Sequence, residues 1–284
     1  MVKIIADSTC DLSKELIDKY DISIIPLHIL LGEEEYEDGT GITPEKIFAW
    51  ADANKTTPKT SAASIERAIE VMRPYTEAGR EVVCFSISSS MSTSGNVMKL
   101  AAEELDASDL VTVIDSANLS TGIGLLVVQA AIMAQNGMKA AEIAAEIEIL
   151  KPDVRASFVV DTLTYLHRGG RCSGLAAMAG GALKLHPKIS VIDGKMQPGR
   201  KYRGKMEKVI SDYLADLEPE LKKAKPDRVF ITHSGCDEAV IDKIKASLKN
   251  MNLFAEIHET RAGGVISSHC GPGTVGVLFI VENR

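Results

Sequence analysis

Glu81-Val82-Val83-Cys84-Phe85-Ser86-Ile87 is an almost unbroken apolar run, and the residues after it, Ser88-Ser89-Ser90-Met91-Ser92-Thr93-Ser94-Gly95, are small and mostly hydroxylated. A run this short and this apolar reads as a strand buried on both faces, as in a parallel sheet covered by helices. The same change from apolar to polar recurs through the first half. Residues 2–6 (VKIIA) run into Asp7-Ser8-Thr9, and residues 110–115 (LVTVID) end at Asp115-Ser116. Helical patterns lie between these runs. Leu12, Leu16 and Ile17 share one spacing, residues 64–75 carry another, and a long apolar helix is expected from about residue 120 to 135. Thr43-Pro44-Glu45 reads as a helix start, with a hydroxyl N-cap, proline at the first position and an acid in the first turn. Alternation of this kind implies an α/β fold with a mostly parallel sheet.

Residues 22–31 (ISIIPLHILL) are too apolar for a half-exposed strand, and Pro26 places them near an edge or bend. Lys151-Pro152-Asp153 ends a charged helix and marks a boundary, giving domains 1–152 and 153–284. Beyond it the pattern changes. Residues 156–161 (ASFVVD) read as a strand, and a glycine-rich stretch runs from Gly169-Gly170-Arg171 to Gly180-Gly181. Residues 189–203 read as a hairpin, because Asp193-Gly194 is the dipeptide that a type I′ turn favours. Helices over 205–222 and 238–248 alternate with strands over 228–232, 254–258 and 274–281. The expectation is two α/β domains: an N-terminal, mostly parallel sheet flanked by helices, and a C-terminal mixed sheet with helices. A chain of 284 residues suits two such units.

Composition narrows the function classes. With 32 Lys and Arg against 39 Asp and Glu, the net charge is −7, which argues against a nucleic-acid partner. Aromatic residues are 5% of the chain, so stacking platforms are scarce. Cys10, Cys84, Cys172, Cys236 and Cys270 are scattered and never form a CxxC pair, a pattern of free thiols in a reducing cytoplasm rather than of a metal site. The polar turn after residue 6 gives no secretory segment, and no apolar run is long enough for a membrane span. A soluble cytoplasmic protein is expected. There is no GxxxxGK[ST] loop, and Gly122-Ile123-Gly124 lies inside an apparent helix, where close packing explains it better than a dinucleotide site.

The hydroxyl clusters stand where strands should end, beside helix N-termini whose N–H groups suit an anion. Each also serves as a simple N-cap or loop. His269, in Ser268-His269-Cys270-Gly271-Pro272-Gly273-Thr274, is expected in a polar loop, either meeting an anionic head group or bonding a carbonyl. No triad pairs it with a nucleophile, and His233 at another strand end is equally ambiguous. Arg168, Arg171, Arg200 and Arg203, with Lys184, Lys188 and Lys201, form the dense basic region of an acidic chain. That region is either a solvated face or a surface for an acidic partner.

Taken in order, Asp7-Ser8-Thr9, Thr60-Ser61…Ser64, Ser88-Ser89-Ser90-Met91-Ser92, Asp115-Ser116, Leu163-Thr164-Tyr165-Leu166 with Arg168-Gly169-Gly170-Arg171, and His269-Cys270-Gly271-Pro272-Gly273-Thr274 resemble the DegV family of fatty-acid-binding proteins. The resemblance covers essentially the whole chain. It departs from the family at Ala62-Ala63, where members commonly carry Gln-Pro, and at Thr93-Ser94, where they often carry Gly-Thr. It implies a long-chain fatty acid in an apolar tunnel, its carboxylate held by Thr60, Ser61 and Ser92 with His269 nearby. It further implies no catalytic machinery, cofactor or metal of its own and no stable membrane insertion. Its partner would be a separate ATP-binding fatty acid kinase subunit, docked on Arg203, Arg171 and the neighbouring hairpin.

Burying ~14 methylenes at ~0.8 kcal/mol each stabilises such a complex by roughly 11 kcal/mol, less several for ordering it. The tail then sets affinity and the head group sets orientation. Neutral hydroxyls hold a carboxylate without the bidentate grip of a buried arginine. Aliphatic segments at 123–128 and 175–185 are candidates for the tunnel wall or for ordinary core. Two other readings stay open: a small-molecule transferase or hydrolase using Ser92 and His269, and a protein-interaction module built on the basic hairpin.

Overall fold

The structure is a computed structural model that describes residues 1–171 and 185–282. The first half opens with β1 (Lys3–Asp7), a 3-10 turn, α1 (Lys14–Lys19) and three short strands, β2 (Ser23–Ile25), β3 (His28–Leu31) and β4 (Glu34–Glu37). It continues through α2 (Pro44–Asn54), β5 (Lys59–Ser61), α3 (Ile65–Thr76), β6 (Val82–Ser86), α4 (Ser94–Glu104), β7 (Val111–Asp115), α5 (Thr121–Gln135) and α6 (Ala140–Leu150). The second half runs β8 (Val154–Val159), α7 (Thr164–Gly169), β9 (Leu185–Ile192), β10 (Lys195–Arg203), α8 (Met206–Leu221), β11 (Ala224–His233), α9 (Glu238–Met251), β12 (Glu256–Arg261), α10 (Gly264–Cys270) and β13 (Val275–Val281).

Among the described residues the strands form three sheets. One is four-stranded and parallel, in the order β2-β1-β6-β7; one is mixed and six-stranded, β10-β9-β8-β13-β11-β12. The third is a small antiparallel sheet, β4-β3-β5. The α/β architecture read from the sequence is therefore present, with a parallel sheet in the first half and a mixed one in the second. The 3-10 turn Lys151–Asp153 lies at the expected boundary, but the apolar core runs straight across it. α5 is buried on nearly every side, wedged between Phe85 and Ile114 of the parallel sheet and Phe158 and Leu278 of the mixed one. Gly122 and Gly124 permit that wedge. A Cβ on Gly122 would lie 3.3 Å from the Ala156 Cβ, and one on Gly124 would lie 2.8 Å from Leu12.

Period-2 alternation fills the outer layers. Val82 and Cys84 face Met72 and Met98 beneath α3 and α4, while Val229, Ile231, Val277 and Phe279 pack against α8 and α9. The hairpin turn has φ of 49° at Asp193 and 74° at Gly194, the double left-handed geometry of a type I′ turn. Thr43 and Ser64 cap α2 and α3 through their hydroxyls.

Several local expectations need correction. Residues 22–31 are two strands in different sheets, because Pro26 breaks the run. His269 lies on the last turn of helix α10 rather than in a loop, and Tyr165 and Leu166 lie on the short helix α7. Buried Ser267 and Ser268 obscured α10, since their hydroxyls bond back to the Ala262 and Gly264 carbonyls. Cys172, Lys184, Gly180-Gly181 and nearly all of 175–185 lie outside the described residues.

Candidate functional site

The strand-end polar residues divide into two groups. Those at Asp7, Ser8, Thr9, Asp115 and Ser116 are spent on the fold. Asp7 accepts from Thr9 N, Thr9 Oγ1, Ile87 N and Ser94 Oγ, at 2.5–3.2 Å. Ser8 donates to Asp38 at 2.8 Å and accepts from Leu27 N at 3.1 Å. Asp115 takes the N–H of Ala117 at 2.8 Å, and Ser116 bonds the Asn118 carbonyl.

Asp11 and Asp38 join Asp7 as buried acids that the sequence reading did not single out. They hold the start of α10: Gly263 N donates to Asp11 at 2.8 Å and Gly264 N to Asp38 at 2.6 Å. Burial raises the pKa of all three carboxyls, against the lowering effect of their hydrogen-bond donors. A side chain at Gly263 would press within 3.2 Å of both Asp11 and Asp38. Their only sequence signal was isolated acids beside apolar runs.

The second group lines a cavity of about 490 Å³, within the range of small-molecule sites. Thr60 and Ser61 come from β5, where Thr60 pairs with Ile29 of β3. Ser92 comes from the loop before α4, His269 from the end of α10, and Arg171 from beyond α7. Leu27, Ile87, Leu119, Met196 and Ile266 supply the apolar part. A smaller void of about 20 Å³ shares Leu119, Ile266 and Cys270 and reaches Phe158 and Leu278 of the mixed sheet.

Hydrogen-bonding capacity is left over at this wall. Ser92 Oγ accepts from Ser94 N at 3.2 Å and keeps its own proton; Ser61 Oγ has no partner among the described residues. His269 Nε2 lies 2.8 Å from Thr60 Oγ1, while its Nδ1 is buried without a partner among those residues. Burial first, and then the Arg171 charge, lower the His269 pKa to about 4, so the ring is neutral near pH 7. A Cβ on Gly169 would stand 2.5 Å from that Nδ1, so a side chain there would displace the ring. With the proton on Nε2, the ring donates to Thr60 and frees the threonine proton for the cavity. Four of the five groups thus present donors, and none competes as an anion.

The remaining candidates sit elsewhere. Arg203 is exposed, has no ion pair among the described residues and is not part of the cavity wall. Arg200 bonds Asp216 at 2.5 Å, and Arg171 also donates to the Gly169 carbonyl at 2.7 Å. His233 is structural: its Nδ1 accepts from Cys236 N at 3.3 Å and its Nε2 meets Glu259 at 3.1 Å. Among the described residues no cluster of His, Cys, Asp and Glu could hold a metal, and no helix is long and apolar enough to cross a membrane.

Known proteins are similar to this chain over nearly their full length. A DegV domain-containing protein of Clostridium perfringens is 33% identical over 281 residues, covering 99% of both chains. A protein of Thermotoga maritima named as fatty acid-binding is 31% identical, covering 100% of this chain and 99% of its own. A DegV family protein of Thermus thermophilus, whose structure is described for fatty acid binding, superimposes with a TM-score of 0.90 at 30% identity, covering 99% of each chain. The family model described as "Uncharacterised protein, DegV family" matches residues 1–282, and with the resemblance first carried by the strand-end motifs now extending through fold and sequence alike, the chain belongs to the DegV family.

Proposed function

We propose that this protein binds a long-chain fatty acid in the 490 Å³ cavity and presents its carboxylate to a separate ATP-dependent fatty acid kinase subunit. One observation carries the reading: an apolar cavity ends on a wall of unspent donors, Thr60, Ser61 and Ser92, beside a neutral buried histidine. An isolated anion is costly to bury unless donors meet it, and here they stand ready in the fold. The tail would extend past Leu119 and Ile266, which belong to both voids. Fatty-acid binding by the Thermotoga and Thermus relatives supports the ligand class.

The chain's own part is to hold and orient the acid. His269 bonds Thr60 rather than Ser92, so no base among the described residues meets the Ser92 hydroxyl, which favours a binding role over a hydrolytic one. Exposed Arg203 on β10, with its charge unpaired among the described residues, is proposed as part of the kinase-docking face, together with Arg171 at the cavity wall.

Denaturing mass spectrometry of protein purified from a bacterial host tests the first half. Long-chain fatty acid is expected in stoichiometric amount, and the absence of both co-purified lipid and rebinding by delipidated protein would overturn the reading. A kinase subunit with ATP tests the second half: Arg203→Ala is expected to impair acyl phosphate formation while acyl binding stays intact.

A further inference from the structure

A second cavity, of about 460 Å³, opens on the other side of the β9–β10 hairpin. Its walls are β8, β9, the 3-10 turn Lys151–Asp153, α8, and the Ala117-Asn118 loop. The hairpin turn is pinned there, since Ser88 Oγ donates to the Gly194 carbonyl at 2.7 Å. Nothing in the proposed fatty-acid site uses this space.

Lys188 of β9 is its unusual feature. The side chain is half-buried, and burial lowers its pKa against the pull of Glu220 and Asp216. Both of those carboxylates are committed to other cations. Glu220 is bonded to Arg155 at 2.6 Å, and Asp216 to Arg200 at 2.5 Å and Tyr202 at 2.7 Å. Lys188 itself makes no hydrogen bond or ion pair with any described residue. Two neutral donors flank it in the same cavity. Ser190 Oγ has no partner among the described residues, and buried Asn118 uses its Oδ1 for Leu119 N while its Nδ2 donates to none of them.

A partly desolvated ammonium whose nearby carboxylates are bonded to other groups keeps part of its desolvation cost, and an anion that displaces water there recovers it. Lys151 is neutralised from outside the cavity by Glu148 at 2.6 Å and Arg155 by Glu220, so among the described residues Lys188 is the lining cation without a direct ion pair; Asp193 stands at the exposed tip of the turn. The rest of the wall combines apolar Pro152, Val154, Val191, Ile192 and Leu217 with Ser157 and the mutually neutralising Arg155–Glu220 pair. We infer that this cavity is a second ligand site, for a small organic acid whose carboxylate or phosphate monoester meets Lys188, Ser190 and Asn118 while its apolar body lies against Val154, Ile192 and Leu217.

The inference stands independently of the fatty-acid reading. Reductive ¹³C-methylation of the native protein gives each lysine an NMR signal, and Lys188→Arg identifies that of Lys188. Titration with benzoate and with phenyl phosphate is expected to shift it saturably, with a dissociation constant of about 1 mM or tighter for at least one. The responding probe tells carboxylate from phosphate; inorganic phosphate alone is expected to bind more weakly. Calorimetry should show at least about tenfold weaker binding in Lys188→Gln and in Ser190→Asp, with thermal unfolding no lower than that of the native chain. A Lys188 signal that neither organic probe moves, or binding that survives both substitutions, overturns the site.

Discussion

At the N-terminal end of α10, Asp11 and Asp38 accept hydrogen bonds from Gly263 and Gly264, whereas at its C-terminal end His269 keeps one ring nitrogen buried with no partner among the described residues. Both ends are buried, in a helix that packs on α2, α7 and the small antiparallel sheet. They differ in what is left over. The carboxylates meet donors from the helix start, where the helix dipole favours negative charge, and each takes a serine hydroxyl as well. At the other end Thr60, Ser61, Ser92 and His269 keep capacity the fold does not use. A protein that closes every hydrogen bond at one end of a helix and leaves donors open at the other has divided its buried polar groups between holding the structure and meeting a ligand.

The largest effect that tests this division is at the closed end. Asp38→Ala leaves the Gly264 N–H and the Ser8 hydroxyl without their buried acceptor, at about 1–3 kcal/mol each. Urea unfolding should show a loss of about 4 kcal/mol. A loss below about 1 kcal/mol would remove the carboxylates from the scaffold's support and break the comparison.

The two ends should also answer pH with opposite sign. Asp7, Asp11 and Asp38 have raised folded-state pKa values, so the native state holds protons that the unfolded chain releases first. Their contribution to stability therefore falls as pH rises from the unfolded carboxyl range through the folded values. His269 is depressed to about 4, so between that value and about 6.5 the unfolded state binds the extra proton and stability rises with pH. Acidification across that window should cost about 3 kcal/mol through His269 alone. The difference between the stability profiles of the native chain and His269→Asn isolates it, and a flat difference would mean the ring is not held neutral.

The closed end and the open end were not equally legible in the sequence. Strand-helix alternation, the Thr43-Pro44 start and the Asp193-Gly194 turn each follow from local chemistry, and the structure has them where the sequence placed them. Asp11 and Asp38 were not read, because their partners are backbone amides more than 220 residues away and no spacing announces that contact. Ser268, His269 and Cys270 read as loop for a related reason: the glycines and proline that follow look like a turn, yet the three complete helix α10, whose start Asp11 and Asp38 hold. Thr60, Ser61, Ser92 and His269 were chosen through family order rather than spacing, and the fold brings them to one cavity with Arg171. The basic cluster was legible as a run of charge, but its separation into an ion-paired Arg200, a cavity-lining Arg171, an exposed Arg203 and a half-buried Lys188 depends on strand register and on partners distant in the chain.

Two glycines sharpen the contrast further. Gly122→Ala would set a Cβ 2.1 Å from Asn118 Oδ1 inside the central wedge and should destabilise by about 2 kcal/mol, leaving fatty-acid binding in the folded fraction unchanged. Gly169→Ala would instead push the His269 ring from Thr60, so acyl binding should weaken while the melting temperature moves little. Exchange of these two phenotypes would invert the assignment of scaffold and site.

The smallest effect is the most discriminating. Thr60→Val keeps the shape of the β5 side chain but removes the hydroxyl between His269 and the cavity. Were that hydroxyl part of the scaffold, its loss would leave a buried Nε2–H unpaired and cost about 1–3 kcal/mol of stability. If it stands as a donor to a carboxylate, unfolding should change by less than about 1 kcal/mol, because Thr60 is only half-buried and Nε2 gains access to the cavity. Fatty-acid affinity should then fall by about tenfold, the worth of one hydrogen bond to a charged group, while a fatty alcohol of equal length loses less. Comparing acid with alcohol separates head group from tail: equal losses for both would mean Thr60 shapes the cavity rather than meeting the charge, and the open end of α10 would lose its claim to the carboxylate.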